Sequence, residues 1–136
     1  MEFAMTTIVA DEYDRAIEYY TKVLGFTLTE DTALSPEKRW VTVRPGDKGG
    51  SILLAQAATD EQKSRIGNQT GGRVGFFLLT DSFDSDYERM KAAGVVFIDS
   101  PRTEEYGKVV VFLDLYGNKW DFIGEVSNST TVQGSP

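Results

Sequence analysis

The 136-residue chain contains no cysteine and no histidine. Without cysteine there is no disulfide, no thiolate nucleophile, no zinc–cysteine centre and no iron–sulfur ligation. Without histidine no imidazole can act as general base or metal ligand, so Ser-His-Asp hydrolysis and His-built metal sites are excluded. Positive charge is scarce: 14 Lys and Arg stand against 21 Asp and Glu, a formal net charge of −7. That balance argues against a nucleic-acid surface and favours a cationic ligand over an anionic one. No apolar run approaches the roughly 18 residues of a membrane span, and no basic, apolar-cored leader is read. The expectation is a cytoplasmic protein whose partners are neither nucleic acid nor membrane.

What is present suits one domain, long enough to bury about two thirds of the surface its unfolded chain exposes. In "YDRAIEYYTKVLGF" the residues Tyr13, Ala16, Ile17, Tyr20 and Leu24 form one apolar stripe on a helix that Gly25 closes. The β-branched run "FAMTTIVA" precedes it, and "FTLTE", "RWVTVRP" and "SILLAQA" follow as strands, the last two joined by a turn over Pro45 to Gly50. "TEDTALSPEKR" reads as a solvated loop. The order then repeats: "RVGFFLLT" is a strand, "SFDSDYERMKAAG" a helix carrying Phe83, Tyr87 and Met90 on one stripe, and "VVFID", "KVVVFLD" and "KWDFIG" three further strands.

Residues support the repeat as well as element order. A shift of 70 lays Asp11, Tyr13 and Asp14 onto Asp81, Phe83 and Asp84, and a shift of 68 lays Gly49 onto Gly117 and Leu53 onto Asp121. The expected fold is α+β, two βαβββ repeats forming a concave half-barrel cleft. Repeat one spans about 3–57 and repeat two about 73–125 of a single domain at 1–125. The connector 58–72 opens with a capping box, Thr59 with Gln62, and ends in Gly71 and Gly72. Asn68 and Gln69 within it are read as solvated or as ligand hydrogen-bonders, and "GNQTGG" lacks the lysine and following helix of a phosphate loop. The stretch 126–136 has no periodicity and is expected to be a flexible tail.

"DEYDRAIEYYTKVLGF", the duplication and the closing "FLDLYGNKWDFIG" together resemble the vicinal oxygen chelate superfamily of glyoxalases, bleomycin resistance proteins and extradiol dioxygenases. The resemblance spans residues 3 to about 124 and does not choose a member. In metal-dependent members it implies ligands on the first and last strands of each unit, positions that fall on Met5, Leu53, Gly75 and Asp121. Only Asp121 can ligate a hard cation, so no cofactor is expected, and a divalent metal would need an atypical carboxylate site. The resemblance also implies a homodimer.

Asp121 is the candidate catalytic or ligand-holding residue, against the alternative of a partly solvated strand carboxylate. Unpaired and buried, its pKa should rise, whereas a neighbouring arginine, Arg44 or Arg73, would reverse that shift. Strand parity puts Phe3, Thr7 and Val9 with Met5, and Arg73, Phe77 and Leu79 with Gly75. The candidate ligand-binding residues are Met5, Thr7, Trp40, Arg44, Arg73, Gly75, Phe77 and Tyr106. Three functions stay open: a metal-independent protein binding a cationic or amphipathic small molecule, a glyoxalase-like lyase, isomerase or dioxygenase relative using Asp121 as general base, and a non-catalytic regulatory module.

Overall fold

A computed structural model describes residues 1–125. The tail expected at 126–136 lies outside the described residues. The chain forms two units, the first Met1–Gly71 and the second beginning at Gly72. Both are built on the βαβββ plan, so the fold is α+β with one open sheet per unit.

In the first unit β1 (Met5–Ala10) leads into α1 (Tyr13–Glu18), then β2 (Thr27–Ala33), β3 (Arg39–Arg44) and β4 (Ser51–Gln56). The sheet order is β1-β4-β3-β2, with β1 parallel to β4 and the other neighbours antiparallel. Glu12 caps α1 by accepting from the Arg15 amide. Beyond Glu18 the helix widens into a π-helical turn, Tyr19–Val23, with the Leu24 amide reaching the Tyr19 carbonyl at 3.0 Å. Tyr13, Ala16, Tyr20 and Leu24 from the expected stripe are buried, as are Ile8, Val41, Val43 and Leu54 beneath them.

One expectation fails here. Asp31–Ala33, read as loop, continue the strand begun in "FTLTE" as part of β2 and pair with Arg39–Val41, beyond a bulge between Leu28 and Glu30. The cause is tertiary: Arg39 bonds Asp31 at 2.7 and 3.1 Å and Asp14 at 2.9 Å, and its guanidinium lies 5.1 Å from the Tyr13 ring centre. These contacts hold a polar, exposed strand in register. The short helix α2 (Asp60–Ser64) follows β4, capped by Thr59 as the sequence suggests.

In the second unit β5 (Phe76–Thr80) and α3 (Phe83–Ala92) precede β6 (Val96–Phe97), β7 (Arg102–Glu104), β8 (Gly107–Leu113) and β9 (Lys119–Glu125). The sheet order is β5-β9-β8-β6, and β7 also pairs with β8. β7 was not expected. β6 and β7 are the two halves of one edge strand, since Phe97 pairs with Phe112 and Arg102 with Val109. Asp99 sits in the break and accepts a 3.4 Å bond from the Val111 amide, replacing a ladder acceptor. The interruption matches the bulge of β2, at the corresponding place in the duplicated plan.

Aromatic rings make the second core. Trp120 stacks on Phe76 at 4.8 Å and on Phe112 at 5.6 Å, and Phe122 stacks on Phe83 at 5.1 Å. Gly124 lets α3 approach β9: a Cβ there would stand 2.5 Å from the Phe83 Cβ. The "DLYGNKW" turn is held by Asp114, buried at 5% exposure. Its carboxylate accepts from the amides of Tyr116 and Asn118, the Asn118 side chain and the Trp120 indole, at 2.9 to 3.3 Å. The most recognisable motif of the chain is therefore a fold-holding network.

Candidate functional site

Each helix covers one face of its sheet and leaves the other bare. On β9, Trp120 and Phe122 point to the helix side at 3% and 2% exposure, so the alternation of a strand turns Asp121 to the bare side. Register extends this face across three strands. Asp121 pairs with Phe77 on β5 and with Val111 on β8. Phe77 and Leu79 are 64% and 57% exposed, large apolar side chains on the same face as the carboxylate.

The first unit repeats the arrangement with different chemistry. Leu53 pairs with Thr7 and with Thr42, so Leu53 occupies the position that Asp121 holds in the second unit. Met5, Thr7 and Val9 alternate with the buried Ile8 and Ala10; on β3, Trp40, Thr42 and Arg44 lie opposite the buried Val41 and Val43, with Thr42 itself buried at 5% exposure. Thr42 is tied to Thr29, Oγ1 to Oγ1, at 2.6 Å.

Of the sequence-based candidates, Met5, Thr7, Trp40 and Arg44 thus share the bare face of the first unit. Arg44 is held by the following turn, its Nε donating to the Gly46 carbonyl at 2.7 Å. Phe77 shares the bare face of the second unit with Asp121. Gly75 stands just ahead of β5 and extends the ladder, its amide donating to the Lys119 carbonyl at 3.1 Å. Strand parity does not reach Arg73, because β5 begins at Phe76 and the chain turns at Gly71 and Gly72, both at positive φ. Phe3 likewise precedes β1 and is exposed. Tyr106 occupies the turn between β7 and β8, where Glu104 pairs with Gly107.

The Asp121 carboxylate makes no hydrogen bond to any described residue. Burial among apolar neighbours pushes its carboxyl above the usual carboxylate range; the Arg102 guanidinium opposes that shift and the Asp99 carboxylate adds to it. The arginine acting on Asp121 is therefore Arg102 rather than Arg44 or Arg73. Arg102 was missed because it comes from β7, and Asp99 because it lies in the broken edge strand. The guanidinium is drawn toward Glu104 at 3.1 Å and Asp99 at 3.9 Å, and it makes no ion pair with Asp121. The result is a lone acceptor beside exposed apolar side chains, suited to a cation, a hydrogen-bond donor or a proton. A depression of about 290 Å³ lined by Phe83, Asp84, Thr103 and Lys108 among others lies at the start of α3 and does not include Asp121.

The positions that the resemblance assigns to metal ligands do not fit a metal. Met5 offers a soft thioether, Leu53 a hydrocarbon and Gly75 no side chain, leaving one hard oxygen ligand from Asp121. Among the described residues no group of three or more acidic side chains is arranged to hold an ion. No helix among them is long and apolar enough to cross a membrane.

Comparison with known proteins agrees with this architecture. An uncharacterized protein of Shewanella frigidimarina is 50% identical over 118 residues, covering 85% of this chain and 87% of that protein. The crystal structure of UcmS2 is similar with a TM-score of 0.78 and 27% identity, over 90% of this chain and 97% of that one. TnmS3, an antibiotic binding protein from Streptomyces sp. CB03234, shares the fold with a TM-score of 0.74 at 23% identity, over 93% and 98% of the two chains. Residues 2–122 match the Glyoxalase/Bleomycin resistance protein/Dioxygenase superfamily, and the chain belongs to that superfamily.

Proposed function

We propose that the protein binds a small amphipathic molecule on the bare sheet face of its second unit without the usual metal centre, and that Asp121 holds the cationic or hydrogen-bond-donating group of that molecule. The observation that carries this reading is Asp121 itself, a partly buried carboxylate with no hydrogen-bond partner among the described residues, in register with the exposed Phe77. Such a carboxylate is open to a hydrogen-bond donor from a ligand. The net charge of −7 supports a cation, and the likeness to an antibiotic binding protein supports a small-molecule ligand of that kind. Phe77, with Gly75 and Tyr106, supplies contacts in the second unit, and Met5, Thr7, Trp40 and Arg44 are the counterparts on the bare face of the first. The working form in this reading is a cytoplasmic homodimer.

A second reading draws on the raised pKa of Asp121. A carboxylate so shifted accepts a proton more readily, as a lyase or isomerase of this superfamily would require. A thermal-shift panel separates the two. Bleomycin should raise the melting temperature of the parent and not of Asp121→Asn if the binding reading holds. Aldehyde–thiol adducts should be turned over by the parent and not by that variant if the catalytic one holds. Identical behaviour of both proteins toward every compound would sink both.

A further inference from the structure

β1 is an edge strand of its sheet. Its even-numbered residues turn their main-chain groups toward β4, as the bonds from Ser51 to the Ala4 carbonyl and from Ala57 to the Ala10 carbonyl record. The amides and carbonyls of Met5, Thr7 and Val9 therefore face outward. Natural edges are guarded by charge, proline or a covering segment. "MTTIVA" has neither charge nor proline and is β-branched at four of six positions, the composition that pairs readily with a copy of itself.

One side chain closes part of this edge. The Val9 amide donates to Gln69 Oε1 at 2.7 Å, and Gln69 Nε2 donates to the Thr7 carbonyl at 2.9 Å. These bonds straddle Ile8, and they are the two that one residue of an added parallel strand would make. A primary amide has the donor and acceptor of a peptide group without a chain to continue the ladder. Gln69 reaches across 60 residues of sequence to do so, from a turn in which the Asn68 amide bonds the Arg65 carbonyl and Gly67 and Gly71 adopt positive φ. The sequence-based choice for Gln69 was solvent or ligand; the structure gives its amide to the backbone of β1.

We infer that Gln69 is an edge guard: its side-chain amide fills the strand-addition site on β1, and β1 of a second copy of this chain takes that site when the amide is removed. The inference is independent of the proposed ligand. The second copy is the occupant because it carries the same uncharged strand with the same outward groups.

The experiment compares the parent with Gln69→Ala and Gln69→Lys, reading mass by light scattering over a range of concentrations and exchange at the Val9 amide by NMR. For Gln69→Ala the Val9 amide exchanges at least about tenfold faster in dilute solution. As concentration rises, its mass climbs to at least twice the parent's and the Val9 amide is protected again. Gln69→Lys exchanges as fast when dilute but keeps the parent's mass, because its charge guards the edge. A mass for Gln69→Ala equal to the parent's at every concentration would reduce Gln69 to a loop anchor and overturn the inference. Equal association of the two variants would overturn it too, since the edge would not then be the contact.

Discussion

Phe77 and Asp121 are register partners across the parallel β5–β9 ladder, and both lie on the sheet face that α3 leaves bare. An exposed ring beside a carboxylate without a hydrogen-bond partner gives this face its chemistry. In the first unit the matching rung joins Thr7 to Leu53, so only one of the two repeats carries charge at this position.

The raised pKa of Asp121 has a consequence for stability. The folded protein holds this proton to higher pH than the unfolded chain, so the contribution of Asp121 to stability is greatest below the ordinary carboxylate pKa of about 3.9. It falls as pH rises from there through the folded value. Asp121→Asn removes the fall. Urea denaturation should find the variant as stable as the parent near pH 3 and more stable at pH 7.

Arg102 opposes that rise, so its removal should enlarge it. In Arg102→Gln the Asp121 carboxyl should titrate at higher pH than in the parent, read directly by carboxyl carbon NMR. An unchanged or lower value would remove Arg102 from the site.

Asp114 accepts four hydrogen bonds in a buried turn. Asp114→Ala leaves those donors without a partner and should cost roughly 3 kcal/mol or more of unfolding free energy. Asp114→Asn keeps one side-chain oxygen and should lose less. Chemical denaturation of the two variants tests the ranking.

Gly124→Ala puts a methyl against Phe83, where the nearest atoms stand at 2.5 and 2.9 Å. The clash forces α3 away from β9 and should cost about 1–3 kcal/mol. A variant as stable as the parent would mean that this packing is looser than described.

Much of the fold was legible because hydrophobic period and repeat agree. Tyr13, Ala16, Tyr20 and Leu24 announce a helix, and the 68-residue shift from Leu53 to Asp121 is reproduced by the strand registers. Illegible parts were those where pairing is set by distant partners. The second half of β2, Asp31–Ala33, carries no buried residue to reveal its period and is held by Arg39 and the β3 ladder. β7 is three exposed residues. Asp121 could be found because the repeat pointed to it. Arg102 and Asp99 could not, since they reach its neighbourhood through an edge strand broken over Asp99 to Pro101.

The central claim is that the Asp121 carboxylate receives the cationic or donor group of a ligand while Phe77 receives its apolar part. It is tested most directly by NMR titration of isotope-labelled parent and Asp121→Asn with benzamidinium, a small aromatic cation. The account predicts saturable shifts at Phe77 and Asp121 in the parent and affinity weaker by about tenfold or more in the variant, the loss of one charge-assisted hydrogen bond. Equal affinity in the two proteins, or no saturable change at Phe77 in the parent, would contradict it.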